Sequence, residues 1–468
     1  MRCARARRFG ENWRRDPGRL TPEPVSLLGR LAARHAETRP QLRRLVARLR
    51  QVRPRLRPAT SSPGAIDPTL PACAQVVAVQ HPSTTLPERP YDLVLLSAIL
   101  GLLVIGTIGV YSATAGFGLT LGNSAHFLER QLAFIALGGI ALWVGSSVDY
   151  RKLRTWTYPL LLLALVLLAI TLFTPARNGA RRWIPLGPMT FQPVEIAKLA
   201  LVTYLSYSLA RKADQVKTFT VGFVPHLVVC GVMMVILLAQ PDLGSSIVLG
   251  LTTLGMLFMA GTRISYIMLA VLGAAPIAYH MIVGTPWRMQ RFLAYFNPEA
   301  YAMGEAYQLM QARLAMGSGG FAGTGLGNGH QTLGYMPEGY NDFIMATIGE
   351  EMGFIGVGLV LALSVIVVWR GIRAALGARD VFGGYLAFGI TLLFGVQVLF
   401  NVAVVLGVVP NKGITLPLVS YGGSSLAVSM FLVGLVLNVG RRPEKTTTRE
   451  AAPREVRKKR HRVRVVIA

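Results

Sequence analysis

Hydrophobic residues in this chain gather in long unbroken runs. They do not alternate as in a half-buried strand, nor recur at three and four as in a surface helix. Ten runs near the ~20 residues that cross a bilayer as a helix occupy residues 92–113, 127–147, 156–174, 192–210, 220–239, 243–261, 264–283, 343–369, 382–408 and 420–439. In hydrocarbon a segment of that length satisfies its backbone only as a helix. The pattern predicts an all-α polytopic membrane protein with ten transmembrane helices.

The polar interruptions assign sides. "DYRKLR" (149–154), "RKADQVK" (211–217), "GTR" (261–263) and "WRGIRAALGARD" (369–380) are basic and follow runs two, four, six and eight. Both basic tails fall on that same side. Cytoplasmic loops carry the excess of Lys and Arg, so both termini are expected in the cytoplasm. Residues 284–342, between runs seven and eight, then form a long extracytoplasmic loop.

Composition agrees. Of 468 residues 52% are hydrophobic, and mean hydropathy is +0.46, too apolar for a soluble domain. The formal net charge of +26 sits mostly at the ends, about +12 in residues 1–90 and about +8 in residues 441–468. Three regions follow: a basic, Pro/Arg-rich and largely disordered cytoplasmic tail (1–90), a membrane domain (91–440) and a basic cytoplasmic C-terminal tail (441–468). The first tail has no apolar core and no cleavage site, which excludes a secretory signal. It is nearly free of aromatic residues, so membrane lipid is the expected partner and nucleic acid is not. Cys3, Cys73 and Cys230 make neither a metal spacing nor a disulfide framework, and no metal ligands are readable.

Charge that departs from this plan marks candidate chemistry. The outer connection 175–193 holds Arg181 and Arg182, and the long outer loop holds Arg288 and Arg291. A guanidinium grips phosphate oxygens bidentately, but the same arginines could instead pair with local carboxylates or anionic lipid. Glu195 and Lys198 share one face of run four. Charges inside a span face a bundle interior or a watery cavity, as a structural pair or as part of a site. Asp242 in "AQPDLGSS" reads as a helix cap. Lys412 stands before a Pro- and Gly-broken entry to run ten. Asp342 sits where run eight enters from outside, either as a cap or as a working carboxylate. Glu350 and Glu351 lie deeper and need partners, Lys198 being a candidate. "GSGGFAGTGLGNG" (317–329) follows no strand, which excludes a nucleotide loop, and reads as a tight external loop.

Four segments, "NGARRWIPLGPMTFQPVEIAKLALVTYL", "AQPDLGSS", "GTGLGNGHQTLGYMPEGYNDFIMATIGEEMGF" and "PNKGITLPLVSYGGSSL", resemble the shape, elongation, division and sporulation (SEDS) family of bacterial cell-wall proteins over residues 90–440. The context of Lys412 sides with the division branch rather than the elongation branch. The resemblance implies a peptidoglycan glycosyltransferase that polymerises lipid II, the disaccharide-pentapeptide on undecaprenyl diphosphate. It implies an inner-membrane location, at the division septum. It also implies a divalent cation, Mg or Mn, a class B penicillin-binding transpeptidase as partner, and other division proteins. Asp342 matches the aspartate on which the family depends. Arg181, Arg182, Arg288 and Arg291 are expected on the diphosphate, and Trp183, Glu195, Lys198 and Lys412 in the substrate cavity. Where many relatives carry His-Thr before that aspartate, this chain has Tyr340-Asn341, so no role transfers to those two side chains. A lipid II flippase is the rival reading, since buried charges and broken helix entries suit a transporter. A scaffold for other wall proteins is a third.

Overall fold

The computed structural model describes residues 91–441 apart from 122–125, 177–178, 188, 331–335, 337–338 and 411–412. The tail assignments, 1–90 and 442–468, lie outside the described residues.

Each apolar run coincides with one helix: α1 (Leu93–Leu121), α2 (His126–Ser147), α3 (Leu153–Thr171), α4 (Pro193–Arg211), α5 (Val224–Ala239), α6 (Leu243–Met259), α7 (Ile264–Val283), α10 (Ile344–Leu376), α11 (Val381–Val405) and α12 (Gly423–Arg441). Among the described residues eight helices are long and apolar enough to cross a membrane. The expected ten separate here. Helix α6 is apolar but only 17 residues long, and α4 is diluted by Glu195 and Lys198.

Two further helices, α8 (Pro286–Phe296) and α9 (Tyr307–Gly319), structure the connection that sequence predicts as a loop. The all-helical expectation also needs one correction. Strands β1 (Ile184–Leu186) and β2 (Met189–Phe191) pair antiparallel in the link from α3 to α4. Gly187, at φ +64, turns the chain between them, a conformation that glycine adopts without steric cost.

Helix α4 is buried on nearly every face and packs against α3, α11, α6 and α12, as expected of a helix with no polar stripe. Helix α12 lies along α2. Cβ atoms added at Gly145 or Gly434 would stand 2.6 and 2.5 Å from carbonyl oxygens of the facing helix. Small residues thus permit the close approach on which packing in lipid depends. Asn438 stitches the pair, its Nδ2 donating to Gly145 O at 2.8 Å. Helix α7 is peripheral, with no buried residue.

Helix α10 is broken at Gly353 (φ +63, ψ −159). The glycine-rich segment, expected as a tight external loop, docks into this break. Thr324 N and Gly325 N donate to Glu350 O and Glu351 O at 2.9 and 3.1 Å, while Phe354 N and Ile355 N donate to Gly320 O and Phe321 O at 3.0 and 3.2 Å. Carbonyls ending the first half-helix and amides starting the second, groups a break leaves orphaned, thereby find partners without water.

Candidate functional site

Four inter-helix links meet at one end of the bundle, those between α3 and α4, α5 and α6, α9 and α10, and α11 and α12. Asp342 is placed there by the last residues before α10. Phe343 occupies the cap position of α10 and offers it no side-chain bond, so Asp342 stands one residue outside the position that the cap reading gave it. Its carboxylate instead reaches over the α11–α12 link. An added Cβ on Gly413 would stand 2.9 Å from Asp342 Oδ2 and 3.7 Å from Arg182 Nη1, so carboxylate and guanidinium converge on one stretch of backbone.

Arg182 is held by the α5–α6 link. It donates from Nη2 to Pro241 O, and its Nε lies 4.0 Å from Asp242 Oδ2. Asp242 also accepts from Ser245 N at 3.2 Å, which bears out its reading as a cap of α6. One aspartate therefore both caps a helix and steadies a guanidinium.

The remaining candidates divide. Arg181 is exposed and donates to Leu172 O at 2.7 Å. Trp183 is half-buried beside β1. Glu195 and Lys198 are buried, with Nζ donating to Oε1 at 2.8 Å, and Gln192 and Pro193 begin their helix as the sequence suggests. Lys198 thus bonds within its own turn. Of Glu350 and Glu351, for one of which Lys198 is the sequence's candidate, Glu351 takes the Ser112 hydroxyl at 2.5 Å. Arg288 is buried against the Trp287 ring and donates to Met281 O at 3.3 Å; burial pushes its guanidinium down from the usual value. Arg291 pairs with Glu305 at 2.8 Å, the local-carboxylate alternative. The described contacts of these two arginines join α8 to α7 and to the loop that follows α8, not to Asp342. Lys412 lies outside the described residues.

The family model described as "Cell cycle protein", covering FtsW, RodA and SpoVE, matches residues 93–445. The chain belongs to this family. Against a "Probable peptidoglycan glycosyltransferase FtsW" of Geobacter sulfurreducens, identity is 43% over 357 residues, covering 75% of this chain and 95% of the relative. The Stage V sporulation protein E of Bacillus subtilis is 41% identical, over 75% and 97%. Among solved structures, one described as the structural coordination of polymerization and crosslinking by a peptidoglycan synthase complex is similar at TM-score 0.62 and 28% identity, covering 75% of this chain and 97% of that one. The rod shape determining protein RodA of Thermus thermophilus follows at TM-score 0.55 and 27% identity, covering 76% and 98%.

Within this FtsW/RodA/SpoVE fold, two buried side chains that touch the site escape the sequence reading. Asn401 on α11 and Ser420 in the α11–α12 link both contact the segment carrying Asp342. Asn401, like Gln397 one turn before it, is a buried amide in an apolar run, a signal of the same kind as Glu195. Ser420 gives no signal in sequence.

Proposed function

We propose that this chain is a peptidoglycan glycosyltransferase that polymerises lipid II, with Asp342 as its general base. The observation that carries the proposal is the convergence of the Asp342 carboxylate and the Arg182 guanidinium on the Gly413 backbone at the link end of the bundle. The names of its relatives supply the reaction class.

The acceptor hydroxyl, at C4 of a GlcNAc, is a weak nucleophile. A carboxylate within hydrogen-bond reach takes its proton as attack proceeds, an effect worth about 10²- to 10⁴-fold. The hydroxyl oxygen bonds to C1 of the lipid-linked MurNAc, the bond from C1 to the diphosphate oxygen breaks, and undecaprenyl diphosphate leaves with the electron pair. Arg182 is the cation best placed to stabilise that charge. Arg181 and Lys412 are secondary candidates for diphosphate binding. Arg288 and Arg291 shape the α8 region of the outer loop.

Among the described residues no three His, Cys, Asp or Glu side chains converge to hold a metal. The residues therefore do not fit a resident metal site of protein ligands alone. Mg²⁺ commonly sits between one or two carboxylates and substrate phosphates, and Asp342 is the carboxylate that would share a Mg or Mn ion. Such an ion would neutralise diphosphate charge when bound, and the steps above do not pass through it.

With ten spans and both termini cytoplasmic, this end of the bundle faces outward, where an exported lipid-linked substrate arrives. A class B penicillin-binding transpeptidase and other division proteins at the septum are the expected company. The solved structure of a synthase complex that couples polymerization to crosslinking supports such a partner.

The test is glycan synthesis by the full chain in detergent, with lipid II, Mg²⁺ or Mn²⁺ and the transpeptidase. Asp342→Asn is expected to lower turnover by at least about 10²-fold. Undiminished polymerisation by that variant removes Asp342 from the mechanism. Transfer of lipid II across vesicles without polymer would instead favour the flippase.

A further inference from the structure

We propose that Asn401 and Ser420 are positioning residues. Together they clamp the backbone of Tyr340-Asn341-Asp342 and so fix where the Asp342 carboxylate stands. This rests on the reading of Asp342 as general base.

Three successive carbonyls before α10 are each taken by a donor from α11 or the link that follows it. Tyr421 N donates to Tyr340 O at 2.9 Å. The Ser420 hydroxyl donates to Asn341 O at 2.6 Å, and Asn401 Nδ2 donates to Asp342 O at 2.8 Å. The second Nδ2 proton goes to Ile414 O at 2.9 Å. Both groups facing the amide are carbonyl oxygens, so its nitrogen must be the end that points at them. One side chain thus ties the residue bearing the carboxylate to the loop whose Gly413 backbone that carboxylate approaches.

The clamp is itself braced. Ser420 Oγ accepts from Leu416 N at 2.8 Å, and Ser420 N donates to Leu416 O at 2.9 Å. This tight turn places Leu418 at φ +67 although its side chain is buried. A non-glycine residue persists there only where its surroundings over-determine it, and such strain concentrates at functional sites. Asn401 carries a cost as well. Its Oδ1 is buried without a hydrogen-bond partner among the described residues, a cost set against the two carbonyls that its Nδ2 satisfies.

The physical reason for such a device is local. Asp342 stands one residue outside the cap position of α10, so its backbone direction is not set by regular helix geometry. A misplacement of about 1 Å between reacting groups can cost about 10²-fold in rate.

The experiment measures glycan-chain turnover and the KM for lipid II in the full chain. It uses Asn401→Leu, Ser420→Ala and Ser420→Thr, each in the parent and in an Asp342→Asn background. In the parent, Asn401→Leu and Ser420→Ala are expected to lower kcat by about 10- to 100-fold while KM moves less than about threefold, and Ser420→Thr, which restores the hydroxyl, recovers turnover. In the Asp342→Asn background the same changes are expected to add no further loss, because they act through the carboxylate. Full kcat in both apolar variants alongside an inactive Asp342→Asn overturns the clamp and leaves the base reading standing. Losses that multiply onto Asp342→Asn also overturn it, as the sign of general damage. An active Asp342→Asn overturns the base reading first and the clamp with it. Should Asn401→Leu fail to fold, the Ser420→Ala and Ser420→Thr pair decides by the same criteria.

Discussion

The backbone of Gly413 runs close to the Asp342 carboxylate. A Cβ on Gly413 would stand 2.9 Å from Oδ2, inside normal contact distance, so the carboxylate would have to shift. Gly413→Ala is therefore expected to spare stability and damage chemistry. The thermal midpoint should stay within the range of a surface substitution, about 0.5 kcal/mol, while polymerisation slows about tenfold or more. Unchanged turnover would show that the carboxylate works from another position. Asp342 is legible in sequence by resemblance, and that Phe343 takes the cap position of α10 is not. A local carboxylate is legible only as one alternative for Arg291, and its identity is not, because Glu305 lies 14 positions on across a turn that no periodicity reveals.

At the scale of elements, apolar run length locates all ten main helices but misses the break in α10. The run contains Gly349, Gly353, Gly356 and Gly358, and hydropathy cannot say which of them departs from the helix. The departure is set by a contact across sequence, where an added Cβ on Gly353 would stand 2.4 Å from Gly323 N and one on Gly323 2.1 Å from Glu351 O. Gly353 also has a φ/ψ pair that only glycine tolerates, strain worth about 1–3 kcal/mol for any other residue. Gly353→Ala and Gly323→Ala are each expected to destabilise the protein by about 2 kcal/mol or more, read as a lower unfolding temperature in detergent. Gly358→Ala meets nothing within 4 Å and should leave that temperature unchanged. Equal midpoints for all three would mean that the loop does not lock the break.

Over the whole molecule, the two ends of the bundle differ in chemistry. Opposite the Asp342 end, Asp380 accepts from Tyr150 and Arg154, Asp92 pairs with Arg370 at 2.6 Å, and Arg441 lies over the Tyr91 ring. These arginines belong to the connections and tail that the positive-inside rule assigns to the cytoplasm, so packing and charge bias select the same end. The α8 region belongs with the other end, since Tyr295 Oη donates to Val408 O at 2.7 Å, just before the link that carries Gly413. Two exposed positions then report orientation: Met303, 94% exposed in the loop after α8, and Asp214, exposed between α4 and α5. Cys3 and Cys73 would first be replaced by serine, and Cys230 is buried. In intact spheroplasts an impermeant maleimide should label Met303→Cys at once and Asp214→Cys only after permeabilisation. The reverse pattern would put Asp342 in the cytoplasm, where it would meet lipid II before export, and a polymerase acting outside the membrane could not use it.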